Sequence, residues 1–191
     1  MEYNQKFVDR GTYELFATTK YPDKKIIVLS CMDTRLTQLL PEALNLQNGD
    51  AKFVSNAGAI LSHPFGSIMR SIIVAIYELG VEEIFIIGHH GCGMNSIEPQ
   101  HVIHAMKQKG ISEETLETLQ YSGIDLNVWL KGFDCVVDSV TESVDKIRNH
   151  PLIPKDILVH GLIADPKTGA LEIVVNGDCR EAVEMTSEKN D

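Results

Sequence analysis

The sequence predicts an α/β fold, with a mostly parallel sheet flanked by helices on both faces. Three observations predict it. Two short, nearly continuous apolar runs, Lys25-Ile26-Ile27-Val28-Leu29-Ser30 and Glu83-Ile84-Phe85-Ile86-Ile87, have the pattern of strands buried on both faces. Segments of helical character stand between the strands, as crossovers to parallel neighbours require. The chain then closes with a turn-linked pair of apolar runs, which reads as an antiparallel hairpin.

The elements follow in order. Residues from Tyr3 to about Lys20 predict an amphipathic helix, with Phe7, Tyr13, Leu15 and Phe16 at roughly helical spacing, and Pro22 and Asp23 stop it. The first strand covers Lys25 to Ser30 and the second Ala51 to Ser55. Ser67 to Leu79 predicts a strongly apolar helix closed by Gly80, and the third strand follows at Glu83 to Ile87. A polar helical region is expected from about Ser96 to Leu119, and a longer helix from about Asp125 to Arg148. Pro151 and Pro154 then lead into a fourth strand, Asp156 to Ile163. Asp165-Pro166-Lys167-Thr168-Gly169 is a turn, with Leu171 to Val175 as the return strand. No repeat or linker interrupts residues 1–191, so one domain is expected.

Composition narrows the function. Apolar residues make up 43% of the 191, enough for a substantial core. The net charge of −10 disfavours a grip on nucleic-acid phosphates and an attraction to anionic membrane. No apolar stretch approaches the roughly 18–20 residues that span a bilayer. The opening MEYNQKFVDR lacks the layout of a secretory signal, and the four cysteines suit thiols more than a disulfide framework. The expectation is a cytoplasmic protein.

The chemistry-bearing residues follow the first and third strands. Cys31-Met32-Asp33-Thr34-Arg35 comes after one, and His89-His90-Gly91-Cys92 after the other. Ligands of open parallel sheets bind beyond the carboxyl ends of the strands, where strand order reverses. In a sheet ordered 2-1-3-4, strands 1 and 3 lie side by side, about 4.8 Å apart, and the two motifs converge. Two thiolates and an imidazole, Cys31, Cys92 and His89, suit zinc, and three protein ligands leave a fourth tetrahedral position for water. That is the arrangement of a catalytic zinc. Asp33 is placed either to reach the metal or to accept a hydrogen bond from its water. Arg35 offers a fork of donors that would keep the Asp33 carboxylate ionised. Cys135 and Cys179 have no such companions and read as structural.

With those residues in place, the sequence resembles the β-class carbonic anhydrases, and their compact bacterial branch in particular. The family's Cys-x-Asp-x-Arg and Gly-His-x-x-Cys-Gly motifs occur as Cys31 to Arg35 and Gly88 to Gly93. Gln47-Asn48-Gly49-Asp50-Ala51 and Asn56-Ala57-Gly58 resemble the family's connecting segment. The resemblance implies the 2-1-3-4 sheet with its antiparallel C-terminal strand. It implies one Zn2+ per subunit on Cys31, His89 and Cys92, and a catalytic Asp33–Arg35 dyad. The implied activity is reversible hydration of carbon dioxide to bicarbonate and a proton, by zinc-bound hydroxide. Asp33 is implied to serve also as a fourth ligand in a closed, inactive state favoured at lower pH. A homodimer, or a tetramer built from it, is implied too, with residues 1–20 packing on the partner subunit.

The chain departs from the family at three points. Ser55 stands where many members carry arginine, Lys52 where plant-type members carry an aromatic residue, and no glutamine lies near Pro22. These positions bear on substrate placement and leave the zinc motifs untouched. Two rival functions share the scaffold: a carbon disulfide or carbonyl sulfide hydrolase, and a non-catalytic zinc-binding regulatory homologue. His90 and His63 are placed to relay a proton, although a solvated or packing role is the plainer reading of both. His101, His104, His150 and His160 carry no assignable role.

Overall fold

Among the described residues, five strands form one sheet in the order β2-β1-β3-β4-β5. The computed structural model describes the backbone of residues 1–180 and the side chains of residues 1–178. The strands are β1 (Ile26–Cys31), β2 (Ala51–Asn56), β3 (Glu83–His89), β4 (Leu158–Ala164) and β5 (Leu171–Val175). The first four pair in parallel, and β5 returns antiparallel to β4. The predicted order and the antiparallel closing strand are therefore both present.

Alternation along β1 shows how the sheet is sandwiched. Ile27 and Leu29 face a core built with α3 (Ser67–Leu79) and α7 (Val136–Arg148), whose Met69, Ile72, Val140, Val144 and Ile147 are buried there. Val28 faces the opposite side, where Leu36 and Leu40 of α2 (Leu36–Ala43) cover it with Leu46, Ile87 and Leu162. Both faces are dry, which is why β1 and β3 read as unbroken apolar runs instead of an alternating pattern.

Three helical expectations need correction. The predicted helix over Tyr3 to Lys20 is instead α1 (Glu2–Asp9) followed by a 3-10 turn at Thr12–Phe16. Gly11 between them has φ 64°, a left-handed value that ends the first helix. The region Ser96 to Leu119 holds two helices, α4 (Pro99–Gln108) and α5 (Glu113–Tyr121). Ser112 starts the second by accepting from the Thr115 N–H at 3.2 Å. The expected helix over Asp125 to Arg148 is the single turn α6 (Leu126–Trp129), capped by Asp125, and then α7. The chain between α6 and α7 pairs with the loop that follows β3, where Phe133 N–H donates to the Met94 carbonyl at 3.1 Å. The helix α2 is an addition, short and containing Pro41. Cys135 lies exposed at the start of α7, not buried as a packing residue; the side chain of Cys179 is outside the described residues. Among the described residues, no helix is long and apolar enough to cross a membrane.

Candidate metal centre

β1 and β3 are direct neighbours, so the residues at their carboxyl ends meet. Cys31 is the last residue of β1 and His89 the last of β3, with Cys92 three residues further on. All three are buried, and their ligating atoms lie within 4.8 Å of one another.

Several features of this cluster fit a tetrahedral metal. The sulfurs of Cys31 and Cys92 are 3.7 Å apart. Two sulfurs bound at about 2.3 Å to one tetrahedral ion stand about 3.8 Å apart. His89 is 1% exposed, yet among the described residues none gives its Nε2 a hydrogen-bond partner. A buried polar atom in that condition is costly unless something else occupies its lone pair. Its other ring nitrogen, Nδ1, lies 3.0 Å from the His90 carbonyl and donates to it in the tautomer that leaves Nε2 free to ligate. The sulfurs are supported as acceptors as well: the Gly58 N–H donates to Cys31 Sγ at 3.4 Å and the Met94 N–H to Cys92 Sγ at 3.5 Å. Burial pushes the Cys92 thiol up to about 11, so without a cation it keeps its proton near neutral pH.

Asp33 and Arg35 form the rim. Arg35 Nε donates to Asp33 Oδ1 at 2.9 Å, and a terminal guanidinium nitrogen donates to Oδ2 at 2.8 Å. The Arg35 backbone N–H adds a bond to Oδ1 at 2.9 Å. These side-chain and backbone bonds from Arg35 hold the Asp33 carboxyl well below the usual carboxylate range. Oδ2 lies 3.8 Å from His89 Nε2, so the ionised carboxylate borders the place a metal would occupy. A cavity of about 360 Å³ opens beside Cys31, lined by Met32, Leu36, Leu40 and Phe53 with the hydroxyls of Ser30 and Ser55. It is largely apolar, with room for a small neutral molecule.

A family model described as "Carbonic anhydrase" matches residues 26–171. The chain belongs to the β-class carbonic anhydrase family. It is 54% identical over 177 residues to "Putative carbonic anhydrase YtiB" of Bacillus subtilis (strain 168), covering 93% of this chain and 95% of that one. It is 32% identical over 157 residues to a "Carbon disulfide hydrolase" of Acidithiobacillus thiooxidans, covering 78% of this chain and 76% of that one. The crystal structure of beta-carbonic anhydrase isoform I from Trichomonas vaginalis superposes with a TM-score of 0.83 at 36% identity, covering 92% of this chain and 95% of that chain.

This β-class chain brings Cys31, Asp33, Arg35, His89 and Cys92 to one end of the sheet. The other histidines stand elsewhere or are engaged. His63 is exposed and accepts from Phe65 N–H through Nδ1, while His90 is exposed beside the centre. His150 and His160 are buried and take the N–H of Leu152 and Gly177. Ser55, where arginine is common in the family, lies 3.3 Å from Ser30 through their hydroxyls. Pattern reading did not pick out the Gly91 carbonyl, which accepts from Arg35 at 3.0 Å, or the Gly58 and Met94 amides on the sulfurs. Backbone groups leave no residue-type signature. The one available hint was Asn56-Ala57-Gly58, a turn signal directly after a strand.

Proposed function

We propose that this protein catalyses the reversible hydration of carbon dioxide to bicarbonate and a proton, with one zinc ion per subunit on Cys31, His89 and Cys92. The observation that carries the reading is the Asp33 carboxylate, held by Arg35 at the edge of a three-ligand cluster and 3.8 Å from His89 Nε2. A purely structural metal site has no use for such a group; a site that orients water does. Zinc held there supplies a Lewis acid that lowers the pKa of water in its open position.

The chain's own residues do the rest. Being ionised, Asp33 only accepts hydrogen bonds, so it selects water or hydroxyl over groups with nothing to donate. Accepting that hydrogen bond fixes how the water oxygen is turned toward the cavity. Arg35 keeps both carboxylate oxygens engaged and so holds Asp33 back from the metal position itself. The apolar wall of Met32, Leu36, Leu40 and Phe53 suits a neutral linear substrate, while bicarbonate, once formed, favours leaving for water.

The same reading takes residues 1–191 as one domain that works as a cytoplasmic homodimer, with assembly to a tetramer open to it. In the protomer, α1 buries no residue, and Tyr3, Val8, Tyr13, Leu15 and Phe16 are exposed. That apolar set supports packing of the N-terminal segment on a partner subunit.

The likeness to a carbon disulfide hydrolase makes substrate choice the point to test. Zinc-loaded protein is assayed in parallel for carbon dioxide hydration and for hydrogen sulfide release from carbon disulfide. Hydration as the faster reaction supports the proposal. Sulfide release without hydration assigns the hydrolase instead, and neither reaction at full zinc content assigns a non-catalytic homologue.

A further inference from the structure

Asn56 ends β2 directly beside Cys31 in the parallel register, and its carbonyl accepts from the Met32 N–H at 2.8 Å. Its side chain turns back along the chain. Nδ2 donates to the Ile60 carbonyl at 2.7 Å, and Oδ1 accepts from the Ile60 N–H at 3.2 Å. One amide thereby satisfies both backbone groups of Ile60, as a facing strand would, and clamps residues 56–60 into a closed turn.

Within the clamp, Gly58 and Ala59 both lie in the left-handed region, at φ 84° and 57°. Ala59 is 1% exposed, and a residue with a Cβ holds that conformation only where its surroundings over-determine it. The clamp does so at one end. At the other, the Leu61 N–H donates to the fully buried Ser143 hydroxyl at 3.1 Å. The outcome of this turn is the Gly58 N–H aimed at Cys31 Sγ at 3.4 Å. A Cβ at position 58 would meet Ile60 Cδ1 at 3.0 Å and Met94 Cβ at 3.1 Å, so space as well as φ calls for glycine.

We propose that Asn56 is a positioning residue for the metal centre: its clamp fixes the Gly58 N–H on the Cys31 sulfur, and so sets how strongly that thiolate donates to a bound metal and how long the metal stays. The inference rests on the reading of Cys31 as a metal ligand. An N–H on a thiolate draws charge from the sulfur and holds it in one orientation; outer-shell partners of this kind change metal affinity by about 10–100-fold. The Cys92 sulfur takes its N–H from Met94 in its own loop, so a change at Asn56 acts on one sulfur of the two.

The test uses full-length protein loaded with cobalt(II), as wild type, Asn56→Ala and Asn56→Asp. Aspartate has the same shape and keeps the acceptor for Ile60 but loses the donor. All three are expected to take up one cobalt per chain. The sulfur-to-cobalt charge-transfer band should move to longer wavelength in Asn56→Ala and, by less, in Asn56→Asp, and metal release to a chelator should be about 10–100-fold faster in Asn56→Ala. A simple loss of stability would not move the band. Fully loaded variants with an unmoved band and unchanged release overturn the proposal, and Asn56→Asp alone decides it if Asn56→Ala does not fold. Absence of the band from wild type would instead overturn the assignment of Cys31 as a ligand.

Discussion

One terminal nitrogen of Arg35 donates to Asp33 Oδ2 at 2.8 Å and to the Gly91 carbonyl at 3.0 Å. A single guanidinium thus joins the strand end that carries Cys31 to the loop that carries Cys92. Removing it frees the Asp33 carboxylate and loosens the Gly91 turn together. Charge-assisted bonds of this kind contribute about 1.5–3 kcal/mol, so Arg35→Ala should lower kcat/KM for hydration by roughly 10–100-fold while zinc content stays near one. Arg35→Lys should fall similarly, because an ammonium cannot reproduce the fork. Steady-state assays on metal-analysed protein check this, and full activity in either variant would show the pair to be idle.

Metal uptake should be steeply pH-dependent. Burial pushes the Cys92 thiol up to about 11, so at pH 6.5–8.5 the metal-free protein holds that proton and an incoming cation must displace it. The sign follows: metal binding releases one proton from this thiol, so each unit rise in pH strengthens apparent zinc affinity about tenfold. Competition titrations with a chromophoric chelator at several pH values measure the slope. A flat profile would show that Cys92 binds no metal.

Hydration itself should rise above neutral pH. Two thiolates cancel the formal charge of a zinc ion, which then acidifies water less than a site of three imidazoles does, where the water pKa is about 7. Titration of Asp33 does not produce the rise, since its bonds from Arg35 keep it ionised throughout that range. Equal rates at pH 6 and pH 9 would contradict the electrostatic argument.

Gly88 precedes His89, and a Cβ there would lie 2.8 Å from a methyl of Val136 and of Val140. Both neighbours belong to α7, so Gly88→Ala forces that helix away from β3. Overpacking of this kind costs about 2 kcal/mol, which lowers Tm by roughly 4–8 °C in a chain of this size. Thermal unfolding of the zinc-loaded protein checks it; an unchanged Tm would mean that the strand and helix separate freely.

The parts of the molecule legible in the sequence were those written in residue type. β1, β3 and α3 announce themselves because both sheet faces are dry and α3 is apolar almost throughout. The helical stretches after β3 did not resolve into separate helices, because their boundaries are set by the caps at Ser112 and Asp125 and by the break between α6 and α7, not by a change of periodicity. α2 passed unnoticed because it is short and contains Pro41. For the site, Cys31, Asp33, Arg35, His89 and Cys92 are visible as motifs, but their convergence depends on β1 lying beside β3, a long-range pairing that the family resemblance supplied and local pattern does not. The Asn56 clamp and the amides on the two sulfurs depend on backbone direction, which no residue type encodes.

The most direct test of the central claim is stopped-flow carbon dioxide hydration by zinc-analysed wild type and Asp33→Ala at pH 8.5. The account predicts rapid hydration by wild type at one zinc per chain, and a large loss in Asp33→Ala with zinc retained. Wild-type protein that carries its zinc yet does not hydrate carbon dioxide would contradict it.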